Sequence, residues 1–130
     1  MNKDNKDFFG IKELMCGHTN PDGSPTGPIL DNLKYVELLM ELFKDELDFK
    51  ILFIIRKKDK YNREKISKEN LNNIDIFCNK FKKETFKLDF DDLFQPELTN
   101  IKKSFHFISN DLEINEDKIR HIINNNLNSF

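Results

Sequence analysis

Residues 49–55 read F-K-I-L-F-I-I, a seven-residue run that is apolar at every position but one. Its length and its β-branched content read as a buried strand rather than a helix. Working outward toward the N-terminus, residues 29–43 place Leu33, Val36, Leu39, Met40 and Phe43 at spacings of three and four. That period predicts an amphipathic helix, with Asp31 at its positive end. Toward the C-terminus, a charged stretch, R-K-K-D-K-Y-N-R-E-K-I-S-K, fills 56–68. Leu71, Ile74, Phe77, Cys78 and Phe81 then return to helical spacing, with Ser67 placed to cap the start. Phe86, Leu88 and Phe90 alternate as in a half-buried strand, and Asp89, Asp91 and Asp92 make its end acidic. Residues 95–103 read as a connection containing Pro96. The run S-F-H-F-I-S over 104–109 reads as a second strand of the same kind. Asn115 is placed to cap a last helix whose face is Ile119, Ile122, Ile123 and Leu127. The expectation is a small α+β domain with a short antiparallel or mixed sheet packed against two or three helices.

The 130 residues are one domain by length. Residues 1–7 carry nothing to bury and read as a disordered lead, which leaves 8–130 as the single domain. Within it, 8–15 read F-F-G-I-K-E-L-M, and 16–28 hold three of the four prolines and three of the four glycines, a loop. Asn, Lys, Ile and Phe together fill 61 positions, a bias that fits an AT-rich coding genome and empties many of the Asn and Lys of functional message. The formal charge of −2 supplies no bulk basic field and argues against nucleic acid as a partner. No run approaches the roughly 18 apolar residues that span a bilayer, and no apolar leader is visible. Cys16 and Cys78 lie far apart and read as reduced, packed thiols, so the expected location is cytoplasmic.

The chain lacks the Gly-rich phosphate loops, and no H-E-x-x-H pattern or Cys/His cluster marks a zinc site. Of three histidines, His18 lies in the turn-rich loop and His121 on the last helix. His106, between Phe105 and Phe107, is the most suggestive. Seven Lys/Arg against three Asp/Glu over 56–69 form the strongest local charge bias. Arg56, Lys57, Lys58, Lys60, Tyr61 and Arg63 are therefore the candidate binding patch, facing an acidic segment (31–50) that carries six acids against three bases.

Two family likenesses touch this sequence. Gly17-His18-Thr19-Asn20-Pro21-Asp22-Gly23 is similar to the first metal motif of DHH-type phosphoesterases, but Ser24 stands where that motif has a metal-binding Asp, and no Asp-His-His follows. The longer likeness is an order of motifs. Phe9-Gly10-Ile11-Lys12-Glu13-Leu14-Met15-Cys16, then Tyr61-Asn62, then Ser67 through Ile76, then Phe105-His106-Phe107-Ile108 resemble in part the zinc D-alanyl-D-alanine carboxypeptidases and VanY-like phage lysins. That resemblance implies a zinc peptidase of peptidoglycan stems, with Asp75 and His106 as two ligands and, at the offset of the third, Glu69 counted from Ser67 or Lys68 counted back from Asp75. The family has a histidine at that third place. A carboxylate there adds negative charge and leaves the bound water less acidic.

The leading functional expectation is a non-catalytic domain that binds another protein and needs no cofactor, of the kind phages and mobile elements use as inhibitors of host enzymes or as immunity proteins. The alternative is the divergent zinc peptidase, with zinc held by Glu69, Asp75 and His106.

Overall fold

A computed structural model describes residues 30–126. The lead over 1–7, the apolar run 8–15, the turn-rich loop 16–28 with Cys16 and His18, and Leu127 lie outside the described residues. The elements follow in the order α1 (Leu30–Phe43), β1 (Ile51–Ile55), α2 (Lys68–Lys80), β2 (Thr85–Asp89), a 3-10 turn (Phe90–Phe94), α3 (Thr99–Ile108) and α4 (Glu116–Asn125). The class is α+β, as the hydrophobic pattern implied.

The strands β1 and β2 pair parallel, with Ile51 opposite Thr85 and Ile55 opposite Asp89. Parallel neighbours need a crossover, and α2 is the helix within it. Side chains alternate across this pair and divide the interior into two layers. On one side Phe53, Ile51 and Ile55 meet Leu33 and Met40 of α1 and Ile74, Phe77 and Cys78 of α2. Leu52, Phe86 and Leu88 point the other way, against Ile101 and Phe105 of α3 and Ile119 and Ile123 of α4. The sheet is thus a two-stranded partition between two pairs of helices.

Local chemistry sets the ends of these elements. Ser67 accepts a hydrogen bond from the Asn70 N–H at 3.1 Å and starts α2, while Lys80 in the last turn suits its negative end. The Thr85 hydroxyl donates to the Phe81 carbonyl at 2.7 Å and ties the first residue of β2 to the end of α2. Asp89 accepts from the Asp91 N–H at 3.0 Å, so the acidic strand end caps the 3-10 turn. Phe90 therefore opens that turn instead of extending β2. Asn115 accepts from the Lys118 N–H at 3.1 Å and begins α4.

One predicted element is corrected. Residues 104–109 are not a strand, and 95–103 are not wholly a connection, because α3 runs from Thr99 to Ile108. Leu98, Ile101, Phe105 and Ile108 recur at helical spacing, and that longer period outweighs the local alternation around His106. Ser104 is fully buried at the helix–sheet contact and donates its hydroxyl to the Ile101 carbonyl at 2.6 Å. Two exposed apolar features complete the picture. Ile54 faces the α3–α4 side of β1 without being covered, and α1 is apolar on both sides, with Tyr35, Leu38 and Leu42 turned away from Leu33 and Met40.

Candidate functional site

The charged stretch between β1 and α2 is a β-hairpin. Lys58 and Glu64 form an antiparallel bridge. The Asp59 N–H donates to the Arg63 carbonyl at 3.0 Å, and the Lys65 N–H to the Lys57 carbonyl at 2.9 Å. The loop Lys60-Tyr61-Asn62 closes it, with the Asn62 N–H on the Asp59 carbonyl at 3.0 Å. Asn62 has φ 63°, the left-handed conformation that a three-residue hairpin loop requires at its last position and that Asn tolerates. Ile66 at the base is buried in the α1–α2 core and anchors the hairpin to the body of the fold.

Asp59 holds the tip together. Its side chain is only 6% exposed, although every neighbour is basic or polar. One carboxylate oxygen accepts from the Tyr61 N–H at 2.8 Å and the Arg63 N–H at 2.9 Å, and the other from Arg63 Nε at 2.7 Å. Lys65 Nζ lies 3.8 Å away. Burial pushes this carboxyl up, but the hydrogen bonds from Arg63 and Tyr61 and the Arg63 charge outweigh it, so Asp59 titrates at about 2. A single acid in a basic run therefore pre-organises the loop, which its sequence count as one charge did not reveal. The available signal was the spacing D-x-x-N-R, an acid and an αL-tolerant Asn placed to close a turn.

The expected patch residues divide into two groups. Lys57, Lys58, Lys60, Tyr61 and Arg63 are all exposed on the hairpin. Tyr61 is 68% exposed, with Lys60 Nζ 5.3 Å and Arg63 Cζ 5.2 Å from its ring centroid. Arg56 is different. It is half-buried, donates from Nε to the Lys58 carbonyl at 3.2 Å, and lies over the Phe90 ring at 4.3 Å. It joins the hairpin base to the 3-10 turn and belongs to the support of the patch more than to its face.

The three expected zinc ligands are not brought together. Glu69 is exposed in the first turn of α2, and Asp75 is exposed farther along it, paired to Lys87 of β2 at 2.7 Å. His106 is exposed in the last turn of α3, and α3 packs on the other side of the sheet. Among the described residues no group of three or more His, Cys, Asp and Glu is placed to hold a metal ion. Zinc therefore does not fit these residues, and no catalytic step follows from them. The Asp75 carboxylate in turn raises the Lys87 ammonium above its usual range. Burial pushes the Cys78 thiol up, partly offset by the Thr85 hydroxyl and the Lys87 charge, so it is no ready nucleophile. His121 shares a 3.0 Å contact with the Asn125 amide on the surface of α4.

No helix among the described residues is long and apolar enough to cross a membrane. No protein-family model matches the chain, and neither a curated protein nor a solved structure is similar to it.

Proposed function

We propose that this protein is a non-catalytic binding domain whose basic hairpin docks on an acidic surface of another protein. The observation that supports this is the Asp59-pinned tip, which presents Lys57, Lys58, Lys60, Arg63 and an exposed Tyr61 on a backbone already held in shape. Pre-organisation lowers the ordering cost of association. A tyrosine flanked by cations is the residue type that carries interface energy, while clustered charge speeds encounter and sets register. The short length of the basic segment and the chain's net charge of −2 favour a protein over a nucleic acid. Such a domain would act in the cytoplasm by occupying its partner, as an inhibitor or immunity protein does, and the AT-rich coding bias fits a phage or mobile element.

The test is capture from a cytoplasmic lysate by the immobilised full chain, beside the variant Lys57→Glu/Lys58→Glu/Lys60→Glu with unchanged circular dichroism. Proteins enriched by the native chain should disappear with the variant and weaken as salt is raised. Equal capture by both would remove the hairpin from the binding role.

A further inference from the structure

We propose that residues 8–12, Phe8-Phe9-Gly10-Ile11-Lys12, pair with the free edge of β1 as a third, parallel strand, giving the order 8–12, β1, β2. The ladder itself exposes the place. The Ile51 N–H donates to the Glu84 carbonyl at 2.7 Å, and in a parallel pair alternate residues carry the bonds, so Ile51, Phe53 and Ile55 are engaged with β2. The N–H and C=O groups of Leu52 and Ile54 point to the opposite edge, where no partner for them lies among the described residues. Ile54 is 62% exposed. A sheet edge is normally blunted by a charge, a proline or a bulge, and I-L-F-I-I has none. β2 differs, since its own outer groups belong to Thr85, Lys87 and Asp89. β1 is thus composed as the middle strand of a sheet.

The crossovers choose the occupant. α1 and α2 pack on the same side of the sheet, against Phe53. A helix joining two parallel strands of one sheet makes a right-handed crossover almost without exception. Two right-handed crossovers on one side advance across the sheet in one direction. α2 carries the chain from β1 to β2, so a parallel strand ahead of α1 falls on the other edge of β1, the free one. Residues 1–29 precede α1, and 8–15 are their apolar run. Residues 13–29, at about 3.3 Å each, are ample to reach Leu30 from the end of such a strand. The composition of 8–12 suits an outer strand, with Phe9 and Ile11 on one face and Lys12 as the edge charge that β1 lacks. Asp7 and Glu13 are six residues apart, as are Lys50 and Arg56. The matching register sets Asp7 beside Lys50 and Glu13 beside Arg56, opposes no like charges, and places Phe9 and Ile11 next to Leu52 and Ile54 on the uncovered face of β1. Charge fits either direction, and the crossover selects the parallel one. That direction also delivers residues 16–28 to the hairpin end of the sheet.

Amide hydrogen exchange and nuclear Overhauser contacts of the isotope-labelled full chain test this. The Leu52 and Ile54 amides should exchange at least about a hundredfold slower than free amides. Both should show Overhauser contacts to residues 8–12 in the parallel order, Phe9 near Leu52 and Ile11 near Ile54. Phe9→Asp/Ile11→Asp should speed those two amides at least about tenfold, while Phe53 and Ile55, bonded to β2, change less than about twofold. Free exchange at Leu52 and Ile54 in the native chain overturns the proposal. Contacts that run antiparallel, or that lead to another segment or a second copy, overturn it too, as does a double variant that leaves both amides protected.

Discussion

The two sides of the β1–β2 pair are filled to different depths. Toward α1 and α2, seven residues from four parts of the chain are buried, and the Phe77 ring meets Phe53 edge-to-face and Phe81 at a tilt, with centroids 5.9 and 4.8 Å apart. Toward α3 and α4, three apolar residues, Leu88, Leu98 and Ile101, are buried among the described residues, and α4 itself contributes no buried residue. α4 is held on that layer by the half-buried Ile119 and Ile123, with the Lys102–Glu116 ion pair joining it to α3. Because stability scales with apolar area removed from water, the first side carries most of it. The second is the side expected to open first under native conditions. The hairpin rests on the stronger side through Ile66. A binding loop on the firmer layer keeps its shape while the far layer fluctuates.

The largest effect expected on this contrast is from Phe77→Ala, which empties the centre of the first side and should cost about 3–5 kcal/mol in urea denaturation. Out of a total of about 5–15 kcal/mol this approaches unfolding, and a loss below about 1 kcal/mol would show that this layer is not the main core. Ile101→Ala on the second side should cost about 2–4 kcal/mol. Its signature should be local, with amide exchange quickened over α3 and α4 and little changed in α2. Asn115→Ala removes the cap of α4 and should cost about 1 kcal/mol, visible as faster exchange in that helix alone. Uniform changes across all helices would dissolve the distinction between the sides.

The smallest effect is an acid one, and it is local to the hairpin. The Asp59 carboxyl titrates at about 2 when folded against an ordinary 3.8, so the folded state favours its ionised form. The stabilisation it gives is complete above pH 3.8 and is lost as pH falls toward 2. The Tyr61 and Arg63 amide resonances should move with a midpoint near 2 and stay fixed in Asp59→Asn. Glu116 is also held below its usual range by Lys102, so the α3–α4 contact should weaken in the same direction as acid is added. A hairpin midpoint near 4 would mean that Asp59 does not organise the loop.

Much of this architecture was legible because its signals are local. The β-branched run of 51–55, the Ser67 and Asn115 caps, and the helical spacing in α1, α2 and α4 need no knowledge of the rest of the chain. The region from Pro96 to Ser109 resisted that reading. Leu98 stands at the start of α3 without a side-chain cap, so no start signal exists, and F-H-F-I imitates a strand over four residues. Nor do strand residues state their direction, and the parallel pairing follows only from the crossover through α2. At the candidate site, the cluster of cations was visible as a count. Its organisation was not, since the roles of Asp59 and Arg56 depend on a turn geometry and on Phe90, thirty-odd residues downstream.

Cys78 gives the molecule an internal clock. Its thiol is buried on α2, in the core layer shared with α1 and β1, and its raised pKa keeps it in the unreactive form. A small thiol reagent can reach it only when α2 lifts from the sheet. With Cys16→Ser removing the second thiol, the labelling rate divided by the rate for a free cysteine gives the equilibrium constant for that opening. The side of the fold that supports the hairpin can thus be timed by its own chemistry, without a fluorophore or an added mutation in the core.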